Sequence, residues 1–267
     1  MPSLAVDGQP IAYAEAGQGE PLILLHGTLG DQRSFAPQMA PFGAGFQVMA
    51  LSMRHCWPGQ WEEGGDFTIA RHVADVAGFI RALGRGPVRL LGHSRGGHIA
   101  FRVAEQHPEL IRALVLAEPG GELDESLGGA PASGAQAASF AAAAALIGTG
   151  EVEKGLTLFA EYTGGPGAWE RRPEDRRAQA RDNARTLLGQ THEQRRPYSR
   201  AAALSIQAPT LLLGGDRSQP QFATILDALE RVMPDARRVT IAEATHNLNL
   251  DNPADFNRAV LEFLAAR

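Results

Sequence analysis

The sequence predicts an α/β protein: a mostly parallel, twisted sheet of about eight strands flanked by helices, with a helical segment inserted late in the chain. Three observations carry this. Short apolar runs bounded by turn residues recur along the chain, helical patterns lie between several of them, and the alternation stops between Glu122 and Arg200. With 267 residues, 44% of them hydrophobic, the chain can bury one sizeable core.

The runs Leu22–Leu25, Gln47–Leu51, Val88–Leu91, Ala113–Ala117 and Thr210–Leu213 read as strands covered on both faces, which implies a parallel sheet. Ahead of them, Leu4–Val6 and Ile11–Ala14 flank Asp7-Gly8, a pair that tolerates the positive φ of a tight hairpin turn, so an antiparallel edge precedes the parallel core. Between Thr68 and Leu83, the residues Val73, Val76, Ala77, Ile80 and Leu83 recur at helical spacing behind a Thr68 cap. Arg238–Ile241 is the last strand, and Pro253–Ala265 a closing helix with proline in its first turn. The division expected is a core of residues 1–121 and 201–267 carrying a helical lid of residues 122–200. Within that lid, Arg171 to Arg200 holds nine arginines against four acidic residues, either a solvated helix face or a basic rim for anionic ligands.

Composition removes several kinds of chemistry. The formal charge is −5, with 25 basic and 30 acidic side chains, and suggests no nucleic-acid partner. Lys154 is the sole lysine and lies in the polar run Glu151-Val152-Glu153-Lys154, a poor setting for a Schiff base. One cysteine, Cys56, allows no internal disulfide. The N-terminus lacks the pattern of a signal peptide and no apolar stretch is long enough for a membrane span, so the expectation is a cytoplasmic protein without a membrane partner. Histidines lack metal-helix spacing, and Gly27–Gly30 lacks both the dinucleotide fingerprint and the phosphate-loop lysine, so neither a metal nor another cofactor is expected.

The sharpest motif is Gly92-His93-Ser94-Arg95-Gly96-Gly97, between an apolar strand and a helix with Ile99, Val103 and Ala104 on one face. A serine on such a turn is forced into a strained backbone that lifts its Oγ clear of the sheet, and glycines two before and two after let strand and helix pass closely. Ser94 is therefore the candidate nucleophile. The Arg95 N–H, at a helix N-terminus, is a candidate oxyanion donor.

With these residues the chain resembles the α/β-hydrolase fold superfamily over essentially its whole length. Four signatures agree: His26-Gly27-Thr28 after the first long parallel strand, the turn at Ser94, the helical insertion after Ala117, and Thr245-His246-Asn247 beyond the last strand. The short lid and Leu116-Ala117-Glu118-Pro119 look most similar to small bacterial esterase and lactonase-like members. The resemblance implies His246 as the general base, Thr28 N–H as the second oxyanion donor ahead of Leu29, and His26 as a brace for that loop or a pocket residue. It leaves His93 to packing.

The third partner is open between two carboxylates. Asp216 follows Thr210-Leu211-Leu212-Leu213-Gly214-Gly215, the usual strand, but falls out of step with the spacing relatives show after glycine. Glu118 directly follows four residues of an apolar run, and it stands 24 positions after Ser94, much the spacing at which several relatives with a displaced acid carry it; by that resemblance it is favoured. A serine at position 94 implies acyl transfer, since dehalogenases and epoxide hydrolases of this fold use a carboxylate nucleophile. Asn247 after the base lowers the C–C hydrolase reading, where relatives carry tryptophan. The reaction expected is hydrolysis of a small-molecule carboxylic ester or lactone through an acyl-serine, the alternative being a non-turnover ligand receptor. Trp57, Trp61, Tyr162 and Trp169 are candidate pocket walls, or packing residues between lid and core.

Overall fold

The computed structural model describes residues 1–130, 135–191, 193 and 195–267; residues 131–134, 192 and 194 of the expected insertion lie outside the described residues. The strands are β1 (Ser3–Val6), β2 (Gln9–Ala16), β3 (Pro21–Leu25), β4 (Gln47–Leu51), β5 (Val88–His93), β6 (Ile111–Ala117), β7 (Thr210–Gly215) and β8 (Ala236–Ile241). They form one sheet in the order β1-β2-β4-β3-β5-β6-β7-β8. β1 and β2 are antiparallel around Asp7 and Gly8, whose φ values of 48° and 77° match the hairpin expectation. β2 joins β4 antiparallel, and from β4 to β8 every neighbour is parallel.

Because the chain leaves β3 for β4 on one side and returns as β5 on the other, the strand order reverses at β3. That switch opens a crevice beyond the carboxyl ends of β3 and β5, where open α/β sheets bind ligands.

The core helices are α1 (Ala36–Gly43), α2 (Ile69–Leu83) and α3 (Arg95–Gln106). The Thr68 hydroxyl caps α2 by accepting the Arg71 N–H, and Gly84 ends it at φ 65°. Side chains alternate across the central strands. Leu22 and Leu24 face one apolar cluster with Phe42, Leu91 and Val115; Ile23 and Leu25 face the other, with Val76, Phe79, Ile99 and Leu116. Both faces are dry, which is why the strands read as continuous apolar runs; burying a side chain of that size contributes about 1.5–3 kcal/mol.

Between β6 and β7 the chain forms α4 (Ala135–Gly148), α5 (Val152–Gly164), α6 (Glu174–Asp182), α7 (Thr186–Gln190) and α8 (Arg200–Ser205). The first four share their own apolar cluster around Phe140, Ile147, Leu156, Trp169 and Leu187, and it takes in Leu29 from the loop after β3. The insertion is fastened at its base. Tyr198 N–H donates to Glu122 O and Asp124 N–H to Tyr198 O, a one-residue parallel bridge. A single bridge has no run of alternating residues and so leaves no pattern in the sequence. α9 (Pro220–Glu230), α10 (Leu248–Asp251) and α11 (Pro253–Ala265) complete the core, α11 capped by Asn252. Among the described residues no helix is long and apolar enough to cross a membrane.

Candidate active site

Ser94 sits between β5 and α3 with φ 54° and ψ −119°, a conformation L-residues adopt only under compulsion. The compulsion is steric. A Cβ on Gly96 would lie 2.3 Å from Leu25 O, and one on Gly92 would lie 2.2 Å from Gly96 O, so β3, β5 and α3 approach too closely for any side chain at either position. The turn therefore delivers Oγ at the sheet edge, beside the loop after β3, where a Cβ on Gly27 would meet Ser94 Cβ at 3.0 Å.

His246, on the loop between β8 and α10, reaches Ser94 from the other side. Its Nε2 lies 2.9 Å from Ser94 Oγ, and its Nδ1 lies 2.7 Å from Glu118 Oε2. With Nδ1–H donating to the carboxylate, the Nε2 lone pair accepts the serine hydroxyl. Glu118 is 1% exposed and has φ 42° at the end of β6. Its second oxygen accepts the Gly215 N–H at 2.7 Å, so both oxygens are held. Phe222 of α9 stacks on the His246 ring at 3.9 Å and 12°.

Asp216 takes no part in this chain of hydrogen bonds. It is exposed, and its Oδ1 accepts the Ala244 N–H at 3.1 Å. Main-chain N–H groups of Glu243 and Ala244 hold its carboxyl below the usual aspartate range, which marks it as a fastener of the β8–His246 loop.

Two histidines, His26 buried and His93 half-buried, brace the surroundings. His93 Nε2–H donates to His246 O at 2.7 Å. His26 accepts the Met53 N–H on Nε2 and donates from Nδ1 to Gly27 O. Burial pushes His26 down to about 4 and His93 down to about 3, so both stay neutral, as these bonds require.

After β3, Gly30 N–H closes a turn onto Gly27 O, with Leu29 at φ 61°. Among the described residues the Thr28 and Arg95 N–H groups donate to no acceptor, and Arg95 is the first residue of α3, where an N–H has no helical partner. The side chains of these same two residues are tied together by the insertion. Thr28 Oγ1 donates to Gln190, Arg195 Nη2 reaches the same oxygen of Gln190, Arg195 Nε pairs with Glu193, and Arg95 donates twice to Glu193. Glu193 is buried between the two guanidinium groups.

Two clefts meet at Ser94, His246 and Thr28. The smaller, about 200 Å³, is walled by Phe140, Phe159, Tyr162, Phe222 and Ile225, with Glu122 and Arg195 as its charged groups. The larger, about 570 Å³, opens toward the N-terminal end of α6 and contains Arg171, Arg172 and Arg176 together with Asp175, Glu243 and Asp251. Of the candidate wall residues only Tyr162 lines either cleft. His26 is consumed in bracing its loop, and Trp57 lies under the Arg33 guanidinium at 4.0 Å while its main-chain N–H donates to Asn183 Oδ1. Trp61 packs on His55 and Phe67, and Trp169, 4% exposed, fills the apolar cluster of the insertion. Large aromatics satisfy any apolar gap, so their presence in a segment does not aim them at a cleft. Phe140, Phe222 and Arg195 carry no motif that would have singled them out.

Most of the arginines between Arg171 and Arg200 are paired: Arg176 with Asp175, Arg177 with Glu174, Arg181 with Glu153 and Glu174, Arg185 with Glu63, and Arg196 with Glu105. This is the solvated, salt-bridged face for most of the segment.

Fold and site place the chain in one class, and residues 20–253 match the family model described as the alpha/beta hydrolase fold; the chain belongs to that family. Its relatives vary in reaction. A putative 2-succinyl-6-hydroxy-2,4-cyclohexadiene-1-carboxylate synthase from Bacillus subtilis is 27% identical over 97% of this chain and 96% of its own length. An alpha/beta hydrolase from Sphaerobacter thermophilus superposes with a TM-score of 0.81 at 24% identity, covering 98% of this chain and 100% of that one. An enol-lactonase from Burkholderia xenovorans superposes at 0.77 with 20% identity, over 99% and 100%.

Proposed function

We propose that the protein is a serine hydrolase that cleaves a carboxylic ester or lactone through an acyl-Ser94 intermediate, with no cofactor. The observation that carries this reading is the continuous chain from Ser94 Oγ through His246 to a buried, doubly held Glu118. Ser94 Oγ attacks the carbonyl carbon while His246 Nε2 takes its proton. Glu118 stabilises the imidazolium that forms and fixes its tautomer. The Thr28 and Arg95 N–H groups donate to the oxyanion as it develops. Collapse expels the alcohol, which receives the proton from Nε2. Water then enters, gives its proton to His246 and attacks the acyl carbon, and the second collapse returns the serine and releases the acid. With a lactone, alcohol and acid leave as one hydroxy acid.

Two clefts meeting at Ser94 suit a substrate with a group on each side of the scissile bond. The enol-lactonase among the structural neighbours supports the reading, while the relative named as a putative synthase is consistent with the rule that a fold does not by itself choose the reaction. The test is a panel of short and long p-nitrophenyl esters and of lactones, with Ser94→Ala as the blank. Turnover should fall at least about 10⁴-fold in the variant; wild-type turnover no faster than the blank on every ester and lactone would overturn the assignment.

A further inference from the structure

The smaller cleft has a cation at its reacting end whose charge is only partly matched. Arg195 lines the cleft beside Ser94, with its side chain 13% exposed. A single point, where a Cβ on Gly120 would stand, lies 3.2 Å from Arg195 Nη1 and 3.7 Å from Arg95 N, so guanidinium and amide flank the same spot. Nε and Nη2 are engaged with Glu193 and Gln190; Nη1 donates to no acceptor among the described residues. Glu193 is shared with Arg95, so two guanidinium groups face one buried carboxylate and the cluster keeps one positive charge. Arg95 Nη1 is itself buried without a partner. An uncompensated buried cation is costly, and an incoming anion relieves that cost. The other charge on the wall, Glu122, makes no ion pair with Arg195 within 4.0 Å among the described residues; burial raises the Tyr162 hydroxyl's pKa, and on that group the two charges act in opposite senses, Glu122 raising it further and Arg195 lowering it.

We propose that Arg195 is a specificity-determining residue that holds a carboxylate of the substrate, so that the ester or lactone cleaved at Ser94 carries a second, anionic group. The planar guanidinium suits a carboxylate, and its place beside the Arg95 amide puts that carboxylate within a small group's length of the scissile carbonyl. The inference rests on the hydrolase reading for its kinetic test but not for its binding test.

Two pairs of esters of matched shape decide it: ethyl hemisuccinate against ethyl isocaproate, with the charge on the acyl side, and acetoxyacetate against isobutyl acetate, with the charge on the alcohol side. In at least one pair the charged member should have the higher kcat/KM by about tenfold or more. Arg195→Met should collapse that ratio toward unity, and Arg195→Lys, which keeps the charge without the fork, should retain part of it. The neutral partner in each pair corrects for any general damage. Separately, calorimetry should show succinate binding to the Ser94→Ala protein and no binding once Arg195→Met is added. Equal rates within both pairs, or a preference for acetylcholine over every one of these esters, would overturn the proposal, the latter moving recognition to Glu122. If no ester is cleaved while succinate still binds through Arg195, the hydrolase assignment falls and the anion site stands. If esters are cleaved but succinate does not bind, the reverse holds.

Discussion

The ends of β6 and β7 lie side by side, each closes a buried apolar strand, and each is followed by an acidic residue; only one of those residues reaches His246. Glu118 leaves β6 with φ 42° and turns inward, where Gly215 N–H holds one oxygen and His246 the other. β7 ends in Gly214-Gly215, and a Cβ on Gly215 would collide with Ala244 O at 2.2 Å. The β7 end is thus stripped of side chains where the His246 loop crosses it, and its aspartate is turned out to pin that loop. β7 contributes a main-chain donor and, through α9, the Phe222 wall. A carboxylate's role is set by which way the backbone hands it over and what room the next strand leaves, and not by its following a strand.

The sharpest way to break this comparison is to neutralise each acid in turn. Glu118→Gln should lower kcat by roughly 10³- to 10⁴-fold with folding retained, because the imidazole loses both its tautomer and the charge that stabilises its protonated form. A comparable loss in Asp216→Asn and little in Glu118→Gln would reverse the assignment.

Acid stability probes the braces at the same sheet edge. His26 and His93, ordinarily near 6.5, are held down to about 4 and about 3 by burial, so the unfolded chain takes up protons that the folded one refuses. Their contribution is complete above about pH 6.5 and is lost as pH falls toward those values, at about 2 kcal/mol each by pH 5. Urea midpoints measured at pH 7 and pH 5 should fall accordingly; equal midpoints would mean the rings are not kept neutral by the fold.

Two smaller effects sharpen the β7 side. Phe222→Ala removes the ring stacked on His246 and should lower kcat/KM about tenfold. Asp216→Asn should change kcat less than about threefold, since an amide oxygen can still accept the Ala244 N–H; a thermal scan should register the loosened loop before any kinetic assay does.

What was legible in the sequence is what short-range physics dictates. Strands covered on both faces must be apolar at successive positions, and the Ser94 turn must have glycine at Gly92 and Gly96, so both announce themselves. The preference for Glu118 followed from a carboxylate ending an apolar run, from a spacing to Ser94 that resembles relatives with a displaced acid, and from Asp216 falling out of step with them. What stayed hidden depends on distant partners: Glu193 meets Arg95 across 98 positions, and Phe222 reaches His246 only because α9 packs behind β7. Trp57 and Trp169 misled for the converse reason, since Trp57 is taken up by the Arg33 guanidinium and Trp169 by the apolar cluster of the insertion, and neither lines a cleft. Arg195 was visible only as one of nine arginines, and its neighbours' ion pairs hide its distinct position.

The bridge between Leu123 and Tyr198 has a consequence for how this chain could change. Because the two feet of the insertion are already joined, lengthening the segment between them adds only the slowly growing entropy of a larger loop. The feet stand on Gly120 and His98, since the Tyr198 hydroxyl donates to Gly120 O and His98 Nδ1 lies 3.0 Å from the same oxygen. The cleft's far wall can therefore be recut, residue by residue or as an exchanged cassette, while the sheet edge that holds Ser94 keeps its register.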